Sequence, residues 1–406
     1  MIISILTKLN VLSKFSDWFY SSYLFGDTAA NSGFAIRKYA VCLLLGILTS
    51  YFVCTKEGER MGIKKDDVLT VLIITIPLCV LGGEIIYMFT DGENTIQSIK
   101  NQYGNNFFVV IYYLLLYLVG FRGGGYEGIT GMAMGGVIIV AFIMIFVACR
   151  WKHWKKENFL DEVAPGLLLA QIIGRWGNFF NQEAYGKVVG GWTIEGTKLI
   201  PTLTLSEQFA RLQSFGIPKW IINNMGFSRG SYYFGVVNGS QFTGYVEQFA
   251  YYHPTFLYES LLNLVGLIIY FIARRKFKKM KSGSIAAGYL IWYGVVRFII
   301  EHLRTDSLYL SIGGNPVKFY YILCPIMVIL GIALLLYLNL RKGGELYQDA
   351  IKKGLKLATE NKENEEEIVN VSLDSHDNRV KETVVSSKDK ENSSGGPIPD
   401  DGKKDK

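Results

Sequence analysis

The sequence predicts an all-α, polytopic integral membrane protein with seven transmembrane helices, and three observations carry that expectation. Half of the 406 residues are hydrophobic and the mean hydropathy is +0.22, high for a chain with a long charged C-terminal stretch. The runs Phe34–Cys54, Val68–Phe89, Gly128–Cys149, Val163–Phe180, Thr255–Ala273, Ser284–Glu301 and Phe319–Leu340 are each long enough to span a bilayer. The dense Lys/Arg clusters Lys56–Lys65, Arg150–Lys156 and Arg274–Lys281 then all fall on one side. By the positive-inside rule that side is the cytoplasm, which places the N-terminus outside and the C-terminus inside.

Taken in order, residues 1–33 lack the basic start, apolar centre and small-residue cleavage site of a signal peptide. Val11–Phe25 is aromatic-rich with sparse charge, which suits a segment lying on the outer bilayer surface. The transmembrane domain is expected over 34–342. Within it, the run Phe107–Phe121 is too short to span and would separate the first cationic cluster from the other two, so it reads as a re-entrant or interfacial element. Residues 181–253, rich in Gly, Phe and Tyr, are long enough to be expected as a small extracytoplasmic cap. From 343 to 406 the composition turns to Lys, Glu, Asp, Asn and Ser, a charged cytoplasmic tail expected to be largely disordered from about residue 355. The five cysteines lie in or beside apolar runs and read as small buried hydrophobes. No metal, cofactor or nucleic-acid partner is expected; the formal charge of +7 decides little, because the cations cluster.

Two helices break the apolar pattern. Arg175 and Asn178 stand three apart with Gln182 beyond, on one expected helix face, and Arg297, Glu301 and Arg304 form a second such face. A guanidinium stays charged at any relevant pH. Placing one near the bilayer centre costs ~2.5–3.5 kcal/mol on insertion scales, so it needs water, a partner or an anionic ligand. Arg297 and Glu301 could simply pair and fix helix packing. Arg175 has no acid within four residues. Three arginines against one nearby glutamate leave a positive surplus, and the abundant anion in a bilayer is a lipid phosphate, which arginine grips with two parallel bonds. His253-Pro254-Thr255-Phe256-Leu257-Tyr258-Glu259 opens the fifth span, with His253 at the outer surface and Glu259 about one and a half turns inside. The pair could handle protons, or Glu259 could pair with a helix neighbour. Tyr39, near the outer end of the first span, suits an interfacial aromatic. In the glycine-rich run Gly123 to Gly136, Gly131 and Gly135 make a small-xxx-small packing face, and the successive glycines also allow close approach of a ligand.

These runs together resemble the prolipoprotein diacylglyceryl transferase family. Gly174-Arg175-Trp176-Gly177-Asn178-Phe179-Phe180-Asn181-Gln182-Glu183-Ala184-Tyr185-Gly186 is similar to its G-R-x-G-N-F-x-N-x-E-x-x-G signature. The His253–Glu259 run resembles its H-P-x-x-L-Y-E, Arg297 to Arg304 its R-F-x-x-E-x-x-R, and Tyr39 falls where the family has a tyrosine. The resemblance implies a multi-pass enzyme of the bacterial cytoplasmic membrane. Its partners would be phosphatidylglycerol, the lipobox segments of preprolipoproteins and the surrounding membrane lipids. It would move a diacylglyceryl group onto the lipobox cysteine as a thioether and release glycerol phosphate. Arg175 and Arg297 would hold the lipid phosphate; Asn178, Asn181, Glu183 and Gly186 would shape the pocket. Glu301 and Arg304 would orient Arg297 or gate the site, and Tyr39 would belong to the catalytic set.

The chain departs from the pattern in two places. No histidine stands where the glycine-rich motif usually has His or Tyr, which leaves Tyr126 or Thr130 for that position. Tyr126 is the preferred base and His253 the second. Glu84 replaces an arginine after Gly82-Gly83 and is a candidate partner for a remaining arginine. The reading from another class is a transporter or binder of anionic lipid head groups without catalysis, since buried arginines also mark permeation paths.

Overall fold

The apolar runs form helices, and the Gly- and Tyr-rich stretches between them form antiparallel hairpins. The computed structural model describes residues 23–25, 36–90, 92–118, 121–122, 125–126, 134–195, 198–237, 240–307, 309–312 and 315–360. Most of the expected outer-surface segment, Thr130, Gly131 and residues 361–406 lie outside the described residues. The helices are α1 (Lys38–Arg60), α2 (Lys65–Thr90), α3 (Gly92–Tyr103), α4 (Phe107–Leu118), α5 (Met134–Trp151) and α6 (Lys156–Asn181). They continue with α7 (Leu205–Ser214), α8 (Lys219–Asn224), α9 (Thr255–Lys276), α10 (Ser284–Glu301) and α11 (Phe319–Leu340). The hairpins are β1–β2 (Tyr23–Phe25, Ile36–Arg37), β3–β4 (Phe121–Arg122, Gly125–Tyr126), β5–β6 (Trp192–Glu195, Lys198–Pro201), β7–β8 (Gly226–Val237, Ser240–Tyr251) and β9–β10 (Tyr309–Ile312, Asn315–Lys318).

Among the described residues, five helices are long and apolar enough to cross a membrane: α1, α2, α9, α10 and α11. Two of the seven expected spans differ. α5 is described only from Met134, and α6 has the length at 26 residues but carries many polar side chains. The chain is a mostly helical, multi-pass membrane protein.

α6 is the central helix, packed on α1, α9 and α10. Small residues bring it against α1: a side chain at Gly166 would lie 2.3 Å from Cys54 Sγ, and one at Gly46 would lie 3.3 Å from the Ala170 carbonyl. The α2–α5 crossing uses Gly136, where a Cβ would meet the Gly82 carbonyl at 2.1 Å. Gly135 of the expected packing face has open space instead, because the crossing lies one residue further on.

Residues 181–254 form a mixed cap of β5–β6, α7, α8 and β7–β8. α7 starts at a capping box in which Thr204 accepts from the Glu207 amide while Glu207 accepts from the Thr204 amide at 2.8 Å. The cap's core, with Val189, Leu212, Ile221, Ile222 and Ala250, includes Phe179 from α6 and Phe256 from α9. Those two rings fix the cap to the helix ends that carry the polar motifs.

The fold does not stop at 342. A further helix, 347–360, packs on the Lys/Arg-rich end of the bundle, with Tyr347 fully buried and Ala350 buried beside it. The Tyr347 amide donates to the Met280 carbonyl at 2.8 Å and Gln348 Nε2 to the Arg274 carbonyl at 2.8 Å. A side chain at Gly354 would lie 2.4 Å from the Arg60 carbonyl. Tyr347, Ala350, Ile351 and Gly354 form a narrow stripe at helical spacing that the surrounding charges mask in the composition. Truncation after residue 360 is expected to leave the thermal midpoint of the purified protein unchanged. Tyr347→Ala is expected to lower stability by ~3–5 kcal/mol, the usual cost of emptying a buried aromatic site.

Candidate active site

α6 delivers Arg175 and Asn178 one turn apart near its cap end, then stops at Asn181 because Gln182 is left-handed (φ 50°, ψ 44°). Gln182 therefore leaves the expected Arg175–Asn178 face: its Nε2 reaches the Asn224 carbonyl at 3.1 Å and Asn224 Oδ1 at 3.2 Å in the cap. Asn224 Nδ2 in turn donates to the Phe179 carbonyl at 3.0 Å, one of the acceptors a helix end leaves open. Ala184 is left-handed as well (φ 53°), and its carbonyl accepts from Thr255 Oγ1 at 2.5 Å. This double reversal returns Glu183 to the helix, where Glu183 Oε1 accepts from Asn178 Nδ2 at 3.0 Å. Asn178 Oδ1 accepts from Arg175 Nη1 at 3.2 Å, so one amide uses both its ends to join an acid and a base. Asn181 is the half-buried last residue of the helix.

The line continues across helices. Arg175 Nη2 lies 2.8 Å from Glu259 Oε1 of α9, and Glu259 Oε2 lies 3.8 Å from Arg297 Nη1 of α10. Arg297 Nη2 is 2.9 Å from Glu301 Oε2, and its guanidinium stands 4.0 Å over the Tyr320 ring. Glu183, Asn178, Arg175, Glu259, Arg297 and Glu301 thus form one unbroken row. The side chains of Arg297, Glu259 and Glu301 are 3%, 1% and 0% exposed, whereas Arg175 keeps 21%.

Two sequence expectations are corrected here. The positive surplus is absent from the row, because Glu259 and Glu301 offset Arg175 and Arg297. What remains is unmet hydrogen bonding: among the described residues, the buried Arg297 Nε and Nη1 have no acceptor in bonding geometry, and neither Glu301 oxygen has a donor so placed. Arg304 does not share the Arg297–Glu301 face, because α10 ends at Glu301. Arg304 folds onto Asp306 at 2.8 and 3.0 Å.

Gly186 is a backbone junction. Its amide donates to the His253 carbonyl at 2.8 Å, it bridges Arg304 on its other side, and a Cβ there would lie 2.7 Å from His253 Cβ. Tyr39 packs its ring on Gly177, where a Cβ would meet Cδ2 at 2.7 Å, within electrostatic reach of both Arg175 and Glu183. His253 Nδ1 is 3.2 Å from the Tyr258 hydroxyl. Burial and, secondarily, the Arg211 charge push its pKa below the usual histidine value, which favours the neutral ring that a base requires. Tyr126 pairs by its backbone with Phe121 in the β3–β4 hairpin, and its side chain lies outside the described residues.

Tyr320 is a site residue with no signal in the sequence, and Glu259 was expected only to handle protons or to pair with a helix neighbour. Glu259 ends a motif already noted, but its link to Arg175 joins positions 84 residues apart, which helical spacing cannot reveal.

The comparison that decides the assignment is with a family model described as prolipoprotein diacylglyceryl transferase, which matches residues 28–337. The chain belongs to this family. Among its relatives, the phosphatidylglycerol–prolipoprotein diacylglyceryl transferase of Streptococcus equi subsp. zooepidemicus (strain MGCS10565) is 32% identical over 315 residues, 78% of this chain and 95% of the relative. The Streptococcus sanguinis (strain SK36) protein of the same name shows the same identity and coverage. That of Streptococcus suis (strain 05ZYH33) is 35% identical over 273 residues, 67% of this chain and 78% of the relative. The prolipoprotein diacylglyceryl transferase match takes in every candidate residue from Tyr39 to Arg304 and ends before the 347–360 helix.

Proposed function

We propose that this chain transfers the diacylglyceryl group of phosphatidylglycerol to the cysteine thiol of a preprolipoprotein lipobox. The observation that carries the reading is the pair of guanidiniums, Arg175 and Arg297, on either side of one carboxylate, with two Arg297 nitrogens lacking acceptors among the described residues. A phosphodiester between them offers oxygens to those donors. The cysteine sulfur attacks the glycerol carbon, a C–S bond forms, and the C–O bond to phosphorus breaks. Glycerol phosphate leaves with the electron pair, and the thiol proton passes to a base. Charge grows on the phosphate oxygens as the bond breaks, and prearranged donors in a dry site stabilise it. Asn178 holds the Arg175 fork in plane, and Tyr320 backs the Arg297 guanidinium.

The setting is the bacterial cytoplasmic membrane. The seven spans, outside N-terminus and extracytoplasmic cap would put Arg175 and Arg297 near the outer surface, where a secreted lipobox emerges. The purified protein, given phosphatidylglycerol and a lipobox peptide, is expected to raise the peptide mass by one diacylglyceryl group. Lipid binding without that increment would leave a binder only, and flux of phosphate-bearing solutes into liposomes without it would leave a transporter.

The base is Tyr126 or His253. Since the neutral ring is the active form and its pKa is lowered, a His253 base makes kcat/KM rise with pH through a value below the usual ~6.5 and fall away at lower pH. That limb is expected to vanish in His253→Gln. Tyr126→Phe is expected to cost ~10²–10⁴-fold with lipid binding kept if the phenol is the base. An unchanged rate in either variant removes that residue as the base.

A further inference from the structure

One turn from Arg175 on the side away from the cap, Gln171 of α6 meets Tyr289 of α10. Gln171 Nε2 donates to the Tyr289 hydroxyl at 2.8 Å, and Tyr289 stacks on Tyr293 with planes 4° apart and centroids 5.8 Å apart. Gln171 Oε1 is buried and has no donor among the described residues. The pair therefore holds more hydrogens than it uses. As placed, the phenolic hydrogen and the second amide hydrogen have no acceptor among the described residues. Turning the amide over lets the phenol donate to Oε1 and frees both amide hydrogens. That second arrangement satisfies every polar atom of the pair provided a ligand that only accepts lies against it.

We propose that Gln171 and Tyr289 form a subsite for the ester carbonyl oxygens of the lipid substrate, a deepening that rests on the transferase reading above. α6 and α10 both run toward the cap, so a residue four positions before Arg175 lies ~6 Å further from the cap. With the phosphate at Arg175 and Arg297, the glycerol backbone and its acyl esters extend in that direction. An ester carbonyl accepts and cannot donate, which matches the surplus. The bond that breaks joins glycerol carbon to phosphate oxygen, so both esters are spectators. An analogue with ether-linked chains keeps the reacting bond and loses only the carbonyl acceptors.

The test compares phosphatidylglycerol with its diether analogue of equal chain length, in competition for the purified full-length protein, read by native mass spectrometry. Wild type is expected to prefer the diester ~5–10-fold, the worth of one or two neutral hydrogen bonds. Gln171→Leu removes the donors and should bring the ratio to within about twofold. Gln171→Met does the same with an unbranched side chain and serves if Gln171→Leu fails to fold. A wild-type ratio below about twofold, or one that survives in either folded variant, overturns the subsite. Turnover of lipobox peptide is scored separately: a binding preference without turnover retains the subsite and removes the transferase reading, and turnover without preference does the reverse.

Discussion

Arg175→Ala is expected to reduce diacylglyceryl transfer by at least ~10²–10³-fold, the cost of losing one prearranged donor to a developing oxyanion. Arg175 bonds Asn178 Oδ1 through Nη1 and Glu259 Oε1 through Nη2, so its fork is held at both prongs before any lipid arrives. Its partial exposure makes it the more accessible of the two arginines. Arg175→Lys keeps the charge but has one point donor where two divergent ones are needed, so it is expected to recover less than a tenth of the lost rate. Peptide mass in a timed assay measures both variants. Near-wild-type transfer by the alanine variant would remove Arg175 from the phosphate site.

The parts of this arrangement that are local in sequence were legible there. α10 and α11 occupy the ranges the apolar runs prescribe, and the Arg175–Asn178 and Arg297–Glu301 contacts follow from helical spacing. Helix ends were not legible. Spacing alone carried Gln182 and Arg304 onward along their helices, whereas a left-handed residue at Gln182 and the turn after Glu301 send both elsewhere. The 347–360 helix escaped notice because Tyr347, Ala350 and Gly354 are few among many charges, and only the groove they enter makes them a core. Charge balance was misjudged for a related reason. An acid on α9 was counted with its own helix, although it faces α6 and α10.

That acid sets up the second large effect. Glu259→Gln keeps the shape of the row and removes the negative charge that two arginines share. Among the described residues no other carboxylate forms an ion pair with Arg175, while Arg297 still has Glu301. Unpairing a buried charge in this way costs ~3–5 kcal/mol, so the lipid-free variant is expected to unfold at a clearly lower temperature than wild type. A phosphate bound between the arginines would compete with Glu259 for the same donors. Once the carboxylate is gone, the anion replaces the missing charge instead of opposing one already present. Saturating phosphatidylglycerol is therefore expected to raise the thermal midpoint of Glu259→Gln more than that of wild type, because a ligand stabilises according to its affinity for the folded state. A neutral diacylglycerol should raise both equally. If phosphatidylglycerol also raises both equally, the phosphate does not lie between Arg175 and Arg297, and the row holds the helices together without holding the substrate.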